Sequence, residues 1–241
     1  QCQVIGSDEA IFNARDFQYW DGEVFYNGAH EGTLKVVSVN DVALKTPKIV
    51  PVTIFSGVDP ASSTSQIADY STIVTVAVDS ERTRYVLGYY RKRVNPLEHA
   101  EAIIRNYEQY YPQKTRIETT GYQEMLRLYL KEECAKRNLY IPGLEIKEKP
   151  RERKSKRLEG MQPFFSRKQV FLKRNMKELY SELVAYPRGK HDDLLDGLYY
   201  AFKGNYTPFH LADTPENREK TMGAYVFEQE SEYDPNDFLL W

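Results

Sequence analysis

The 241-residue chain has only two cysteines, Cys2 and Cys134, far apart and outside any CxxC or Cys/His spacing. That scarcity argues against a disulfide framework and against a structural zinc, and it fits a reducing, intracellular compartment. Long apolar runs are missing as well. Nothing approaches the roughly 18 apolar residues of a membrane span, and no basic stretch leads into an apolar one near the start. A soluble protein with no membrane partner is expected. Net charge is nearly absent, with 33 Lys and Arg against 35 Asp and Glu, so the overall balance does not call for nucleic acid. There is no internal repeat. A methionine start is also lacking, and Gln1 fits a segment cut from a longer chain.

What is present is segregated. KEKPRERKSKR, residues 147–157, gathers Lys147, Lys149, Arg151, Arg153, Lys154, Lys156 and Arg157, whereas residues 213–237 are rich in Asp and Glu. The length allows one large domain, or one domain with extensions. Residues 1–50 mix aromatics with Gly and Asn in short alternating pieces, which predicts a hairpin-like lead-in. The last residues, from 205 to 241, are acidic, contain Pro208, Pro215 and Pro235, and read as an extended or partly disordered tail.

Between them, residues 51–204 carry a clear pattern. VTIFSGVDP (52–60), STIVTVAVD (71–79) and TRYVLGYYRKR (83–93) are β-branched or aromatic runs that predict an antiparallel meander. Asn95, Pro96 and Glu98 form an N-cap, a first-turn proline and a capping-box partner for a helix that Pro112 ends. A short strand that runs into a turn over 114–123, a helix over YQEMLRLYLKEECAKR, a strand at 144–147 and helices at 176–186 and 189–202 complete the order. Strands alternating with helices after a meander predict an α/β fold with a central mixed five-stranded sheet and helices on both faces.

The last helix, GKHDDLLDGLYYAF (189–202), sets Asp192, Asp193 and Asp196 inside an apolar run. On a wheel Leu194, Leu195, Leu198, Ala201 and Phe202 share an arc of roughly 120°, with the three aspartates opposite. Taken alone, the leucines would seat the helix on the sheet and the acids would form a solvated face. Two other carboxylates argue differently. Asp59 ends an apolar strand and is followed by Pro60, and Glu118 ends a short strand before a Thr-Thr-Gly turn. Several carboxylates meeting in a low-dielectric cleft need divalent cations, and hard oxygen ligands select Mg²⁺ or Mn²⁺. Two such ions can clamp the attacking and leaving oxygens of a phosphodiester displacement.

GVDPA around Asp59, RIETTGYQ around Glu118 and GKHDDLLDGLYYA around Asp193 resemble, in order, the three acidic motifs of the nuclease domain of viral and phage large terminase subunits. The resemblance covers roughly residues 51–203 and implies an RNase H-like, RuvC-like fold. It also implies a two-ion, Mg²⁺- or Mn²⁺-dependent endodeoxyribonuclease that cuts concatemeric viral DNA during packaging. Asp59 would bridge both metals, with Glu118 and Asp193 completing the catalytic set. Asp192, Asp196 and His191 are adjacent candidates for a ligand, a water-positioning group or outer support; which aspartate ligates directly stays open. The implied partners are double-stranded DNA, a portal or procapsid, a small terminase subunit and an ATPase domain. No GxxxxGK[ST] motor motif occurs in this sequence. The implied location is the host cell cytoplasm.

Beside such a cleft the 147–157 stretch becomes a candidate phosphate contact, with Arg167, Lys168, Lys173 and Arg174 as an extension. Competing readings are another RNase H-like nuclease, such as a Holliday-junction resolvase or transposase, and a non-catalytic DNA- or portal-binding module. An actin-like ATPase lacks the glycine-rich phosphate loops it would need.

Overall fold

The β-branched and aromatic runs of the first half form five strands: β1 (Gln18–Tyr26), β2 (Gly32–Val39), β3 (Val42–Asp59), β4 (Ser71–Val78) and β5 (Arg84–Lys92). They are followed by α1 (Pro96–Tyr110), β6 (Lys114–Thr119), α2 (Gln123–Lys136) and β7 (Leu144–Glu148). Then come α3 (Lys154–Glu159), α4 (Gln162–Ser166), β8 (Val170–Leu172), α5 (Lys177–Ala185) and α6 (Asp193–Phe202). This computed structural model describes residues 10–26, 32–61, 70–119, 123–141, 143–148 and 153–203. The tail expected over 205–241 lies outside the described residues. Among those described, no helix is long and apolar enough to cross a membrane.

The sheet is mixed, as expected, but has eight strands rather than five, in the order β2-β1-β8-β5-β4-β3-β6-β7. β2 also pairs with β3, so β1, β2, β3, β4, β5 and β8 close into a ring, from which β6 and β7 extend. The length of β3 makes this possible. Its first part pairs with β2 up to Val52, and from Thr53 it passes to β4. Pro51 was expected to precede the ordered sheet; it lies within β3 opposite Thr33 of β2. Proline is tolerated there because the described pairings of this part of β3 are with β2 alone, and a strand edge needs no N–H. β8 escapes sequence reading because three residues are too few to show alternation. It is held by parallel pairing to β1 on one side and β5 on the other.

Alternation along β3 assigns its two faces. Ile54 and Val52 point into a core with Trp20, Leu34 and Tyr85. The Trp20 indole N–H donates to the Val86 carbonyl at 3.2 Å. Farther along the same face, Val58 joins Ile73, Ile104 and Ile117 beneath α1 and α2. Between these two cores Ser56 meets a closed polar network. Its hydroxyl lies 2.9 Å from both Thr75 Oγ1 and Asn106 Oδ1, and Asn106 Nδ2 donates to Thr75 Oγ1 at 2.7 Å. Asn106→Ala removes two of the three bonds and leaves the Ser56 and Thr75 hydroxyls only each other, and a loss of about 1–3 kcal/mol is expected in urea unfolding. The capping box of α1 forms as predicted: Glu98 N–H donates to Asn95 Oδ1 and Asn95 N–H to Glu98 Oε2.

The opposite face carries Phe55, Gly57 and Asp59 and is covered by α6. The leucine stripe does not make the closest approach to the sheet. A Cβ added at Gly57 would lie 2.1 Å from the Gly197 carbonyl oxygen and 2.2 Å from the Ala201 nitrogen, so the α6 backbone rests directly on β3. Only a side chain as small as hydrogen allows that approach. The leucines instead fill the core with Leu179 and Leu183 of α5.

Candidate functional site

Asp59 is the last residue of β3 and pairs with Thr72 of β4. On its other side β3 runs parallel to β6, with Val58 beside Ile117. Since Val58 and Ile117 both face α1 and α2, the next residue on each strand, Asp59 and Glu118, faces α6. There Asp193 and Asp196 lie on the first turn of α6. Glu118 is 4 % exposed and Asp196 4 % exposed, whereas Asp59 remains partly open at the strand end. The solvated-face reading of α6 therefore fails for Asp193 and Asp196: both are buried. Asp192, the N-cap residue, is the more exposed aspartate at the rim.

The electrostatics identify which acids face one another. The Asp59 carboxyl is pushed well above its ordinary range, first by dense surroundings that disfavour its charge, then by Asp196 and Glu118, and less by Asp193. Asp196 is likewise raised by burial, with Lys154 and Arg157 opposing. Asp196 is thus the α6 acid that most strongly influences Asp59. Asp193, the leading α6 candidate from the sequence, has its Oδ2 4.0 Å from Arg91 Nη2 and 3.7 Å from His191 Nδ1. Its carbonyl accepts from Thr72 Oγ1 at 3.0 Å, which ties the start of α6 to β4.

Positive charge enters from α3. Lys154 Nζ lies 2.7 Å from Asp192 Oδ1 and pairs with Asp196 Oδ2 as well. Burial works against the Lys154 charge, but Asp196 and Asp192 hold its ammonium above the ordinary value. Arg157, expected on a phosphate-contacting surface, is only 2 % exposed. It donates to the Tyr200 hydroxyl at 2.9 Å, and that hydroxyl is hydrogen-bonded to Glu118. Arg153 and Lys156 stay exposed, while Lys149, Arg151 and the side chain of Lys147 lie outside the described residues. Lys173 and Arg174 do not extend this cluster. They follow β8, which pairs with the start of β5, whereas the acids sit level with Arg91 near its end. Arg174 pairs with Asp41, and Lys173 Nζ donates to the Gly22 carbonyl at 3.2 Å.

Two residues escaped sequence reading. Glu182 of α5 accepts the Leu194 N–H at 2.8 Å, capping α6 from another helix, and lies 3.1 Å from Arg91 Nε. The Arg91 guanidinium also stacks 3.5 Å over Tyr70, whose ring meets His191 edge-on. The available signal was Glu182 on the same helical stripe as Leu179 and Leu183, an acid on an apolar face. Burial raises the Glu182 carboxyl to about 7 against 4.5 ordinarily, with the Leu194 N–H and Arg91 opposing. A raised acid contributes stability that is fully present below its unfolded value and lost as pH rises through the folded one. In chelator the melting temperature is therefore expected to fall between about pH 5 and pH 8. Glu182→Gln, still able to accept from Leu194, should flatten that fall; an unchanged slope would refute the assignment.

The donor chemistry suits a hard divalent cation: carboxylates without His or Cys ligands at the centre. Asp196 Oδ1 is buried without a hydrogen-bond partner, and Arg157 Nη2 stands 3.8 Å away. Among the described residues, however, no three such side chains already converge on one ion position.

The terminase RNaseH-like domain family model matches residues 56–203, more than half of the chain. No curated protein sequence matches. Among solved structures, the large terminase nuclease from thermophilic phage G20c has 15 % identity and a TM-score of 0.54, over 82 % of this chain and 99 % of that one. The same nuclease with bound magnesium has 17 % identity and a TM-score of 0.51, over 80 % and 95 %. With bound zinc it has 15 % identity and a TM-score of 0.51, over 81 % and 99 %. These likenesses agree with the RNase H-like topology, and with its ordered acidic segments the chain belongs to the terminase RNaseH-like domain family.

Proposed function

We propose that this chain is a divalent-metal-dependent DNA endonuclease that cuts concatemeric viral DNA during genome packaging. The observation that carries the reading is the meeting of Asp59, Glu118 and Asp196, from β3, β6 and α6, at one mouth of the sheet, where burial and then the charges of Asp196 and Glu118 raise the Asp59 carboxyl. A structural role alone gives no reason to crowd acids there. The magnesium- and zinc-bound forms of the G20c nuclease support use of a divalent ion.

Asp59, Glu118, Asp196 and Asp193 would hold the ions, with Asp192 at the rim. Bound there, a pair of Mg²⁺ or Mn²⁺ ions supplies charge neutralisation, a water acidic enough to attack, and stabilisation of the departing 3′-oxygen. Thr72 and Glu182 fix the start of α6, the turn that carries Asp193 and Asp196. Arg153 and Lys156, exposed on the α3 side, would contact backbone phosphates of double-stranded DNA without reading sequence. His191 and Arg91 flank Asp193 and would orient its carboxylate. In this reading the protein works in the host cell cytoplasm with an ATPase domain, a small terminase subunit and a portal or procapsid.

The test is nicking of supercoiled plasmid and cutting of linear duplex by purified protein with Mg²⁺ or Mn²⁺. Cleavage abolished by chelator is expected. Activity confined to four-way junctions would replace packaging cleavage with junction resolution, and no cleavage of either would favour a non-catalytic DNA- or portal-binding module.

A further inference from the structure

Lys154, expected among the phosphate contacts, is turned onto the acids instead. It is the first residue of α3, and its ammonium bridges Asp192 at the rim and Asp196 in the interior. One turn later Arg157 points into the same cluster, 3.8 Å from the Asp196 oxygen that has no hydrogen-bond partner. Crowded carboxylates require positive charge close by, and α3 provides it. One Asp196 oxygen is thereby committed to an ammonium. A divalent cation on Asp196 would stand within a few ångströms of that ammonium, where like charges repel strongly.

We propose that Lys154 is a positioning residue acting through Asp196: it is the resident counter-cation of the metal-free site, and divalent metal exchanges with it instead of binding beside it. The inference rests on the nuclease reading and adds to it a metal threshold set within the chain. Without metal, Lys154 keeps Asp196 and Asp192 from splaying apart. On metal binding its ammonium leaves Asp196 for the rim and solvent, and the helix that carries it must yield.

The test compares Mn²⁺ affinity by calorimetry in the wild-type chain and in Lys154→Met, which keeps the length of the stem and removes the charge. Exchange predicts tighter binding in the variant, by about three- to ten-fold for a pair that is partly solvent-screened. In chelator Lys154→Met should melt below wild type, and Mn²⁺ should raise its melting temperature by more than it raises that of wild type. A merely structural lysine predicts the reverse, since a loosened site binds metal more weakly, so equal or weaker affinity overturns the proposal. If circular dichroism shows that Lys154→Met is unfolded, Lys154→Gln, neutral but still able to donate to Asp192, takes its place with the same two outcomes. Equal Mn²⁺ binding with DNA cleavage intact overturns the exchange alone. Absence of both Mn²⁺ binding and cleavage in every variant and in wild type overturns the nuclease reading with it.

Discussion

Asp59→Asn is expected to lower metal-dependent DNA cleavage by at least about 10³-fold while leaving the fold intact. The two halves of that expectation have one cause. In the folded chain the Asp59 carboxyl is raised by its dense surroundings and by Asp196 and Glu118, so its ionisation works against the metal-free fold. For a raised acid the favourable contribution is complete below the unfolded pKa of 3.8 and fades as pH rises through the folded value. Asparagine removes that charge. At pH 8 in chelator, Asp59→Asn should therefore melt at or above the wild-type temperature, and it should lose most of the stabilisation that Mn²⁺ gives wild type. Plasmid cleavage and thermal melts on one preparation measure both. Cleavage within ten-fold of wild type would remove Asp59 from the centre of the site.

The second large effect is at Gly57, which touches no substrate. A Cβ there would meet backbone atoms of α6: the Gly197 oxygen at 2.1 Å, the Ala201 nitrogen at 2.2 Å and the Tyr200 carbonyl carbon at 2.7 Å. Backbone held by a helix cannot swing aside as a side-chain end can, so Gly57→Ala must push α6 off the sheet. A destabilisation of about 3 kcal/mol is expected, at the upper end of ordinary overpacking, with cleavage falling as Asp193 and Asp196 move away from Asp59. Gly197→Ala offers the contrast. Its Cβ would meet the γ atoms of two β-branched side chains, Thr72 Oγ1 and Val74 Cγ2, each at 3.0 Å, so they need give by only a few tenths of an ångström where Gly57→Ala would overlap backbone, and alanine also favours the helix by about 1 kcal/mol. Its net effect should be far smaller. If urea unfolding ranks Gly197→Ala as the more damaging change, the β3–α6 contact is not what seats the helix.

Local signals in the sequence reported local structure well. The Asn95, Pro96 and Glu98 start of α1, the apolar runs of β4 and β5, and the strand-ending positions of Asp59 and Glu118 all follow from side chains close in sequence. The ring of strands did not announce itself, because β8 is three residues long and the long β3 changes partners midway. Arg157 shows the same limit for charge. In KEKPRERKSKR it is one cation of seven, and only its contact with Tyr200 and its position beside Asp196 separate it from exposed Arg153 and Lys156.

The amino-acid sequence by itself determined which carboxylates were available and that they end strands or begin a helix, since hydrophobic alternation and breaker residues act over a few positions. Only the tertiary structure decided how α6 is turned. A helical wheel ranks faces by polarity and assigns the leucines to the core and the aspartates to solvent. Close packing against Gly57 ranks them by size, so the side with Gly197 goes to the sheet and carries Asp193 and Asp196 inward with it. The helix thus buries both its apolar and its acidic sides, and the charge of the acidic side is answered by Lys154 and Arg157 from a helix some forty residues earlier.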